Sequence, residues 1–280
     1  MILSVYKESN MTSRDICNII SKHFKTKKVG HTGTLDPLAC GLLIVCTNKD
    51  TKLVDILTAK KKEYIATIKL GIKTDTLDIT GNIIEKKDYN FTKEELINVL
   101  NSFLGKSKQE VPLYSAVKIN GRKLYEYARN NINIELPVRD IEIYNIELLE
   151  YKKDLITFKV EVSKGTYIRS LINDICTKLN TVGVMSYLLR TKQGDFLVDN
   201  SNKLDDILND NYKVITYEEV FKNYPTINLN EEEYYKVING VKMNFNIKDD
   251  IIALKYCNKY IALYKYNDGL YKMYKYLLTN

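Results

Sequence analysis

The chain has 280 residues, 45% of them hydrophobic, enough for one large domain or one with a small appendage, which excludes intrinsic disorder. No apolar run approaches the roughly 18–20 residues that span a bilayer, and the N-terminus MILSVYKESN lacks the basic and apolar regions of a secretion signal, so a cytoplasmic protein without a membrane partner is expected. Lysine and arginine at 42 against 35 acidic residues give a net charge of +7, which admits nucleic acid as a partner without demonstrating it.

Residues 12–24, TSRDICNIISKHF, set Ile16, Ile19 and Ile20 at helical spacing behind a Thr or Ser cap, predicting an amphipathic helix. A glycine-bearing loop, VGHTGTLDPLACG, then runs into LLIVC, which is short and wholly apolar and reads as a buried strand. A second helix is expected over about Asp50 to Ala59. In YIATIKLG, Tyr64, Ala66, Ile68 and Leu70 alternate with Ile65, Thr67 and Lys69, the period of a strand. TKEELINVLNSFLG carries a Thr92–Glu95 capping box, an apolar stripe of Leu96, Val99, Leu100 and Phe103, and Gly105 as its stop. DIEIYNIELLEY and DLITFKVEVS flank Lys152-Lys153 and predict an antiparallel hairpin, so the core sheet is expected to be mixed or antiparallel. Residues 167–179 follow Gly165 as a helix that buries Ile168, Leu171, Ile172 and Ile175. After a break near Asn223 to Thr226, tyrosine and lysine dominate in short alternating runs such as IIALKYC and YIALYKY, predicting a small β-rich domain.

Five scattered cysteines with no C-x-x-C pair argue against a disulfide framework or zinc ribbon, and His23 and His31 are too few for a histidine-rich metal site. No dinucleotide fingerprint or P-loop occurs. The chemistry then rests on carboxylates, tyrosines or a cofactor. In Gly30-His31-Thr32-Gly33-Thr34-Leu35-Asp36-Pro37, two glycines permit tight turns and Pro37 pushes Asp36 out of helical geometry, presenting its carboxylate from a rigid loop. On local features alone Asp36 reads first as a cap or an Asx turn. Arg169, at a helix start after Gly165, has the planar fork that pairs a carboxylate or grips phosphate, yet alone it reads as a surface residue. Tyr64 alone reads as a tyrosine at the rim of the core.

Taken together, these segments resemble the TruB-type tRNA pseudouridine synthases, enzymes that isomerise the T-loop uridine at tRNA position 55. GHTGTLDPLACGLL is similar to the family's catalytic loop, KKEYIATIKLGIKTDTLDITG to its tyrosine motif and adjoining acidic turn, and VSKGTYIRSLINDI to its arginine motif. VPLYSAVKINGRKLYEYAR is similar to its RNA-gripping insertion, and the four segments stand in family order within residues 1–190.

The resemblance implies that Asp36 is the nucleophilic or otherwise essential carboxylate, that Tyr64 stacks on the target base, and that Arg169 pairs Asp36. Tyr167 would line the pocket, His31 would help displace the T-loop stack, and Asp78 and Leu188 are expected near the pocket. Lys118, Arg122, Lys123 and Arg129 are the candidate RNA-backbone contacts. It further implies the tRNA T-arm as partner, a monomer without an obligate protein partner, and neither metal nor organic cofactor. The implied fold is α+β, a mixed, largely antiparallel sheet flanked by helices. A catalytic domain is expected over 1–223, with the insertion at about 105–135, and a PUA-like RNA-binding domain over 224–280, for which NGVKMNF and YIALYKY form a degenerate signature. A tRNA-folding protein with isomerisation incidental is the second reading, and a synthase with another, guide-directed RNA target the third. The chain departs from the family where Lys7-Glu8-Ser9-Asn10-Met11-Thr12-Ser13 lacks the usual Lys-Pro pair and glycine, where Asn48-Lys49-Asp50-Thr51-Lys52 replaces a glycine-bearing turn, and where Leu189 replaces a common basic residue. These changes are expected to affect RNA grip more than chemistry.

Overall fold

The computed structural model describes residues 1–130 and 132–278; Asn131, inside the expected insertion, and Thr279 and Asn280, at the end of the expected C-terminal domain, lie outside the described residues. Strand β1 (Ile2–Lys7) leads to helix α1 (Ser13–His23), where Thr12 and Asp15 close a capping box. β2 (Val29–His31) and β3 (Cys40–Thr47) follow, then a 3-10 turn (Asn48–Leu53) continuing into α2 (Val54–Thr58). Next come β4 (Lys62–Leu70), the hairpin β5 (Ile72–Thr74) and β6 (Ile83–Lys86), α3 (Lys93–Asn101) and β7 (Gly105–Glu110). A small hairpin, β8 (Lys118–Ile119) and β9 (Arg122–Lys123), turns at Asn120 and Gly121, both at positive φ as a two-residue hairpin requires, and leads into α4 (Leu124–Arg129). The long hairpin β10 (Val138–Lys152) and β11 (Leu155–Val162) precedes α5 (Ile168–Lys178), β12 (Gly183–Gln193) and β13 (Phe196–Leu197). The chain ends with α6 (Leu204–Leu208), α7 (Tyr217–Phe221), β14 (Thr226–Asn228), α8 (Glu231–Ile238), β15 (Ile251–Tyr256), β16 (Lys259–Asn267) and β17 (Leu270–Tyr276).

The nine-stranded main sheet runs β1-β3-β12-β4-β11-β10-β7, with β2 beside β3 and β13 beside β12. Its pairings are antiparallel except for β3 with β12. This is the mixed, largely antiparallel sheet flanked by helices that the alternation patterns predict. A separate four-stranded sheet, β14-β15-β16-β17, forms the β-rich C-terminal part. No described helix is long and apolar enough to cross a membrane.

Three apolar clusters hold the main sheet. On β3, Leu43 and Val45 face α1 through Ile16, Cys17 and Ile20, whereas Leu42, Ile44 and Cys46 pack on Leu53, Ile56, Leu57 and, from the C-terminal sheet, Ala253 and Leu263. Burial of both faces explains why LLIVC is apolar without alternation. The largest cluster joins Ala66, Ile68, Phe158 and Val160 to Leu96 and Leu100 of α3 and Leu171, Ile172 and Ile175 of α5. Each such side chain contributes about 1.5–3 kcal/mol relative to exposure. Lys62 and Tyr64 extend the same buried face of β4 toward its start.

Several expectations change. The region 50–59 is split, its first turn being 3-10. Gly105 does not stop α3, which ends at Asn101; at φ +93° it opens β7. The Tyr/Lys-rich end also contains α8, capped by Asn230 and Glu233. β12, a central strand, has no clean alternation because its ladder with β4 is broken by irregularities between Met185 and Tyr187 and between Arg190 and Lys192. Asn10 and Asn48, at the two departures from the glycine-bearing family pattern, adopt φ of 65° and 52°, which asparagine tolerates better than most residues.

Gly41, at φ +101°, lies where β3 meets β12, and a Cβ there would fall 2.5 Å from the Arg190 carbonyl oxygen. Gly41→Ala is therefore expected to lower stability by about 2–4 kcal/mol, as strain against backbone does. Urea unfolding of the two proteins measures it, and an unchanged midpoint would contradict the packing described.

Candidate active site

The loop between β2 and β3 carries Asp36, and hydrogen bonds from distant residues hold it almost residue by residue. The Thr32 amide donates to the Ile44 carbonyl (3.0 Å), and Gln193 on β12 donates to the Thr32 hydroxyl (2.6 Å) and the Leu57 carbonyl (2.9 Å). Arg190, fully buried, donates through Nη2 to the Gly33 carbonyl (3.2 Å) and through Nε to the Leu42 carbonyl (2.6 Å). At the start of α1, Ser13 Oγ accepts from the Leu35 amide (2.9 Å) and donates to the Leu35 carbonyl (3.2 Å). Lys7 donates to the Met11 carbonyl (2.6 Å) and the Pro37 carbonyl (3.3 Å), and Ser9 to the Leu38 carbonyl (2.9 Å). Burial pushes the Lys7 ammonium down to about 8, a cost these carbonyls offset in part.

Arg169, in the first turn of α5, grips Asp36 with both arms of its fork: Nε donates to Oδ2 at 2.9 Å and Nη2 to Oδ1 at 3.1 Å. Two further N–H groups reach the Thr76 carbonyl through Nη1 (2.9 Å) and the Tyr114 carbonyl through Nη2 (3.0 Å). A bidentate pair fixes orientation as well as charge, and the side-chain exposures of 6% for Arg169 and 33% for Asp36 leave only the carboxylate accessible. Asp36 and Arg169 line a cavity of about 430 Å³ together with Tyr64, Tyr167 and Leu188. Tyr64 is 7% exposed. Gln109 on β7 holds the Tyr167 backbone, accepting from its amide (2.7 Å) and donating to its carbonyl (3.1 Å), and burial pushes the Tyr167 phenol up.

The structure brings together five of the sequence-predicted residues, Asp36, Tyr64, Tyr167, Arg169 and Leu188, in one cavity. The reading of Arg169 as a surface residue is replaced by that of a buried clamp. Asp78, expected near the pocket, and His31, for which the sequence gives no place within it, both lie outside the cavity lining. Asp78 does not line the cavity: its carboxylate accepts from Thr76 Oγ1 (2.9 Å), the Thr80 amide (3.0 Å) and the Thr80 hydroxyl (2.5 Å), closing the turn whose Thr76 carbonyl meets Arg169. His31 lies at the end of β2, half-buried beside the loop and outside the cavity lining, with Nδ1 accepting from the Gly33 amide at 3.4 Å.

Lys118, Arg122, Lys123 and Arg129 lie on the β8–β9–α4 segment, which directly follows the lining residues Ser115 to Val117, and are not themselves in the lining. Lys118, Arg122 and Arg129 are exposed, while Lys123 donates to the Tyr125 hydroxyl at 3.2 Å. Sequence reasoning missed Ser13, Lys62, Gln109, Arg190 and Gln193. Lys62 had a signal, because the alternation of β4 carried one step back puts it on the buried face with Tyr64. Burial, with Arg190 and Lys164 nearby, pushes the Lys62 ammonium down to about 7.

Comparison with known proteins bears on this site. The TruB family pseudouridylate synthase (N terminal domain) matches residues 21–168. The chain is 42% identical over 286 residues to the tRNA pseudouridine synthase B of Clostridium tetani, covering 99% of each chain. It is 45% identical over 257 residues to the protein of that name from Mycoplasma mobile, covering 91% of this chain and 86% of that one. Among solved structures, one from a Cbf5-Nop10-Gar1 complex superposes with a TM-score of 0.72 at 26% identity, over 94% of this chain and 77% of that chain. The fold is that of a pseudouridylate synthase. The chain belongs to the TruB family of these isomerases.

His31 supplies a test of the loop's environment. Burial, with Arg14 and Arg190 adding to it, pushes its imidazole down to about 4, below the ordinary value near 6.5. As pH falls from about 6.5 the unfolded chain takes up this proton first, so the contribution of neutral His31 is present above that range and lost toward pH 4. Urea midpoints are expected to fall less over this window in His31→Gln than in the wild type; parallel curves would contradict the burial of His31.

Proposed function

We propose that the chain converts the uridine at position 55 in the T-loop of tRNA to pseudouridine, with Asp36 as the essential carboxylate. The observation that carries this reading is the Asp36–Arg169 pair at the wall of a cavity whose lining also includes Tyr64. The printed names of the relatives, tRNA pseudouridine synthase B, support tRNA as the substrate.

A uridine stacked in a folded loop must leave its stack before its glycosidic bond is accessible, at a cost of a few kcal/mol. Tyr64 offers the extruded base a replacement stacking surface, and Tyr167 and Leu188 complete the enclosure. The C1′–N1 bond breaks, the uracil rotates, and C5 bonds to C1′; C5 gives up its proton and N1 gains one, so the product is an isomer of the substrate. Attack of Asp36 at C1′, attack at the base and proton acceptance each start from a carboxylate held as Arg169 holds it. His31, beside the loop, acts on the T-loop stack outside the cavity. Asp78 acts through the turn that meets Arg169.

In this reading residues 1–223 form the catalytic domain and its insertion, 105–135, grips the RNA backbone. Residues 224–280 form a PUA-like RNA-binding domain, for which exposed Tyr235 and Tyr266 provide stacking surfaces. The protein acts as a cytoplasmic monomer.

The deciding experiment is release of tritium from C5-labelled uridine in a T-arm RNA hairpin. Wild type is expected to release it, and Asp36→Asn to be slower by more than about 100-fold, the scale of a lost catalytic group, with binding retained. No release by wild type despite tight, salt-sensitive tRNA binding would favour a tRNA-folding protein instead. For the insertion, joint replacement of Lys118, Arg122 and Lys123 by alanine is expected to flatten the log–log salt dependence of tRNA binding by about 2. An unchanged slope would remove the insertion from the RNA interface.

A further inference from the structure

Beside Asp36 and Arg169, the cavity is lined by four more cations, Lys62, Arg139, Lys164 and Arg190. The single acidic residue in that lining, Asp36, is already taken by Arg169. None of the four forms an ion pair among the described residues. Two are buried, Lys62 at 7% exposure and Arg190 at 0%. In its protonated form Lys62 uses two of its three N–H groups on the Thr58 and Lys60 carbonyls, both at 2.9 Å, and has one to spare. Arg190 Nη1 has no hydrogen-bond partner among the described residues. Both cations lie under one glycine, since a Cβ on Gly33 would stand 3.4 Å from Lys62 Cε and 3.5 Å from Arg190 Nη1. Arg139 and Lys164 are exposed and sit at the rim, with Arg139 Nη1 within 3.8 Å of where a Gly165 side chain would begin.

Holding unpaired cations out of water is costly, and the mutual repulsion of Lys62, Arg190 and Lys164 adds to it. An arriving anion removes that cost. Uracil and ribose carry no charge, but a nucleotide that swings out of its helix brings its own backbone phosphate with it.

We propose that Lys62, Arg139, Lys164 and Arg190 form a phosphate subsite inside the cavity, which takes a backbone phosphate attached to the extruded nucleotide. This rests on the reading of the chain as acting on an extruded uridine. Arg139 and Lys164 meet the phosphate at the rim, protonated Lys62 offers its remaining N–H from the wall, and Arg190 contributes its field from beneath Gly33. The absence of a side chain at Gly33 keeps the approach to Lys62 open. The subsite would draw the target nucleotide into the cavity that Asp36 lines, with its phosphate held by the cations.

The test uses T-arm hairpins carrying one uncharged methylphosphonate linkage, placed immediately 5′ of the target uridine, immediately 3′ of it, or deep in the stem. Tritium release is followed with wild type and with the doubly substituted Arg139→Met, Lys164→Met protein, both changes being at exposed positions that leave the core intact. With wild type, neutralising one flanking linkage is expected to lower kcat/KM by about 10- to 100-fold relative to the stem control, the scale of lost hydrogen bonds to a charged group. In the double variant that difference is expected to shrink severalfold. Flanking and stem linkages that behave alike in wild type, or a flanking effect of the same size in the variant, would overturn the subsite. Release from the unmodified hairpin in those same samples would leave the functional reading standing; no release from it would overturn that reading, and the subsite with it.

Discussion

The bidentate contact between Arg169 and Asp36 joins residues 133 positions apart, and the geometry of the site depends on it. Arg169 also holds the carbonyls of Thr76 and Tyr114, so one guanidinium ties together the β2–β3 loop, the turn after β5 and the segment after β7. A buried arginine without its carboxylate is strongly unfavourable, which couples the position of Asp36 to the packing of α5. Because α5 is itself anchored by Ile168, Leu171, Ile172 and Ile175 in the largest core cluster, the stability of the sheet–helix layer is transmitted to the placement of one carboxylate.

The opposite side of the loop is held by different means. Ser13, Lys7 and Arg190 contact backbone carbonyls and amides, and Gln193 contacts both the carbonyl and the hydroxyl of Thr32, so together they fix the path of Thr32 to Pro37 largely through its backbone. Asn10 and Asn48, in the two segments where the resemblance implies a glycine, enter the left-handed region that asparagine tolerates. The loop is thereby rigid before any substrate arrives, which suits a site whose chemistry depends on orientation.

Much of this was legible in the residues. The capped helices α1 and α3, the periodic α5 and the alternating β4 and β11 follow from local rules, and their faces predict the main core. β12 escaped because its two ladder irregularities break the period, and α8 because its tyrosines read as strand despite an Asn230–Glu233 cap. Asp36, Tyr64, Tyr167, Arg169 and Leu188 were visible through their motifs. Ser13, Gln109, Arg190 and Gln193 were not, because they act through bonds to backbone or hydroxyl groups 22 to 161 residues away, and nothing in a single chain's local pattern records such a partner. Asp78, a motif position expected near the pocket, serves the turn that meets Arg169.

The account turns on Arg169 positioning Asp36 rather than merely filling space. Its most direct test is the single-turnover rate of pseudouridine formation in a T-arm hairpin by Arg169→Lys, measured beside hairpin affinity and the urea midpoint. Lysine keeps the charge and loses the fork. A rate reduced about 100-fold, as a misplacement near 1 Å produces, with affinity and folding largely retained, is the predicted result. A folded Arg169→Lys protein with the wild-type rate would contradict the central claim.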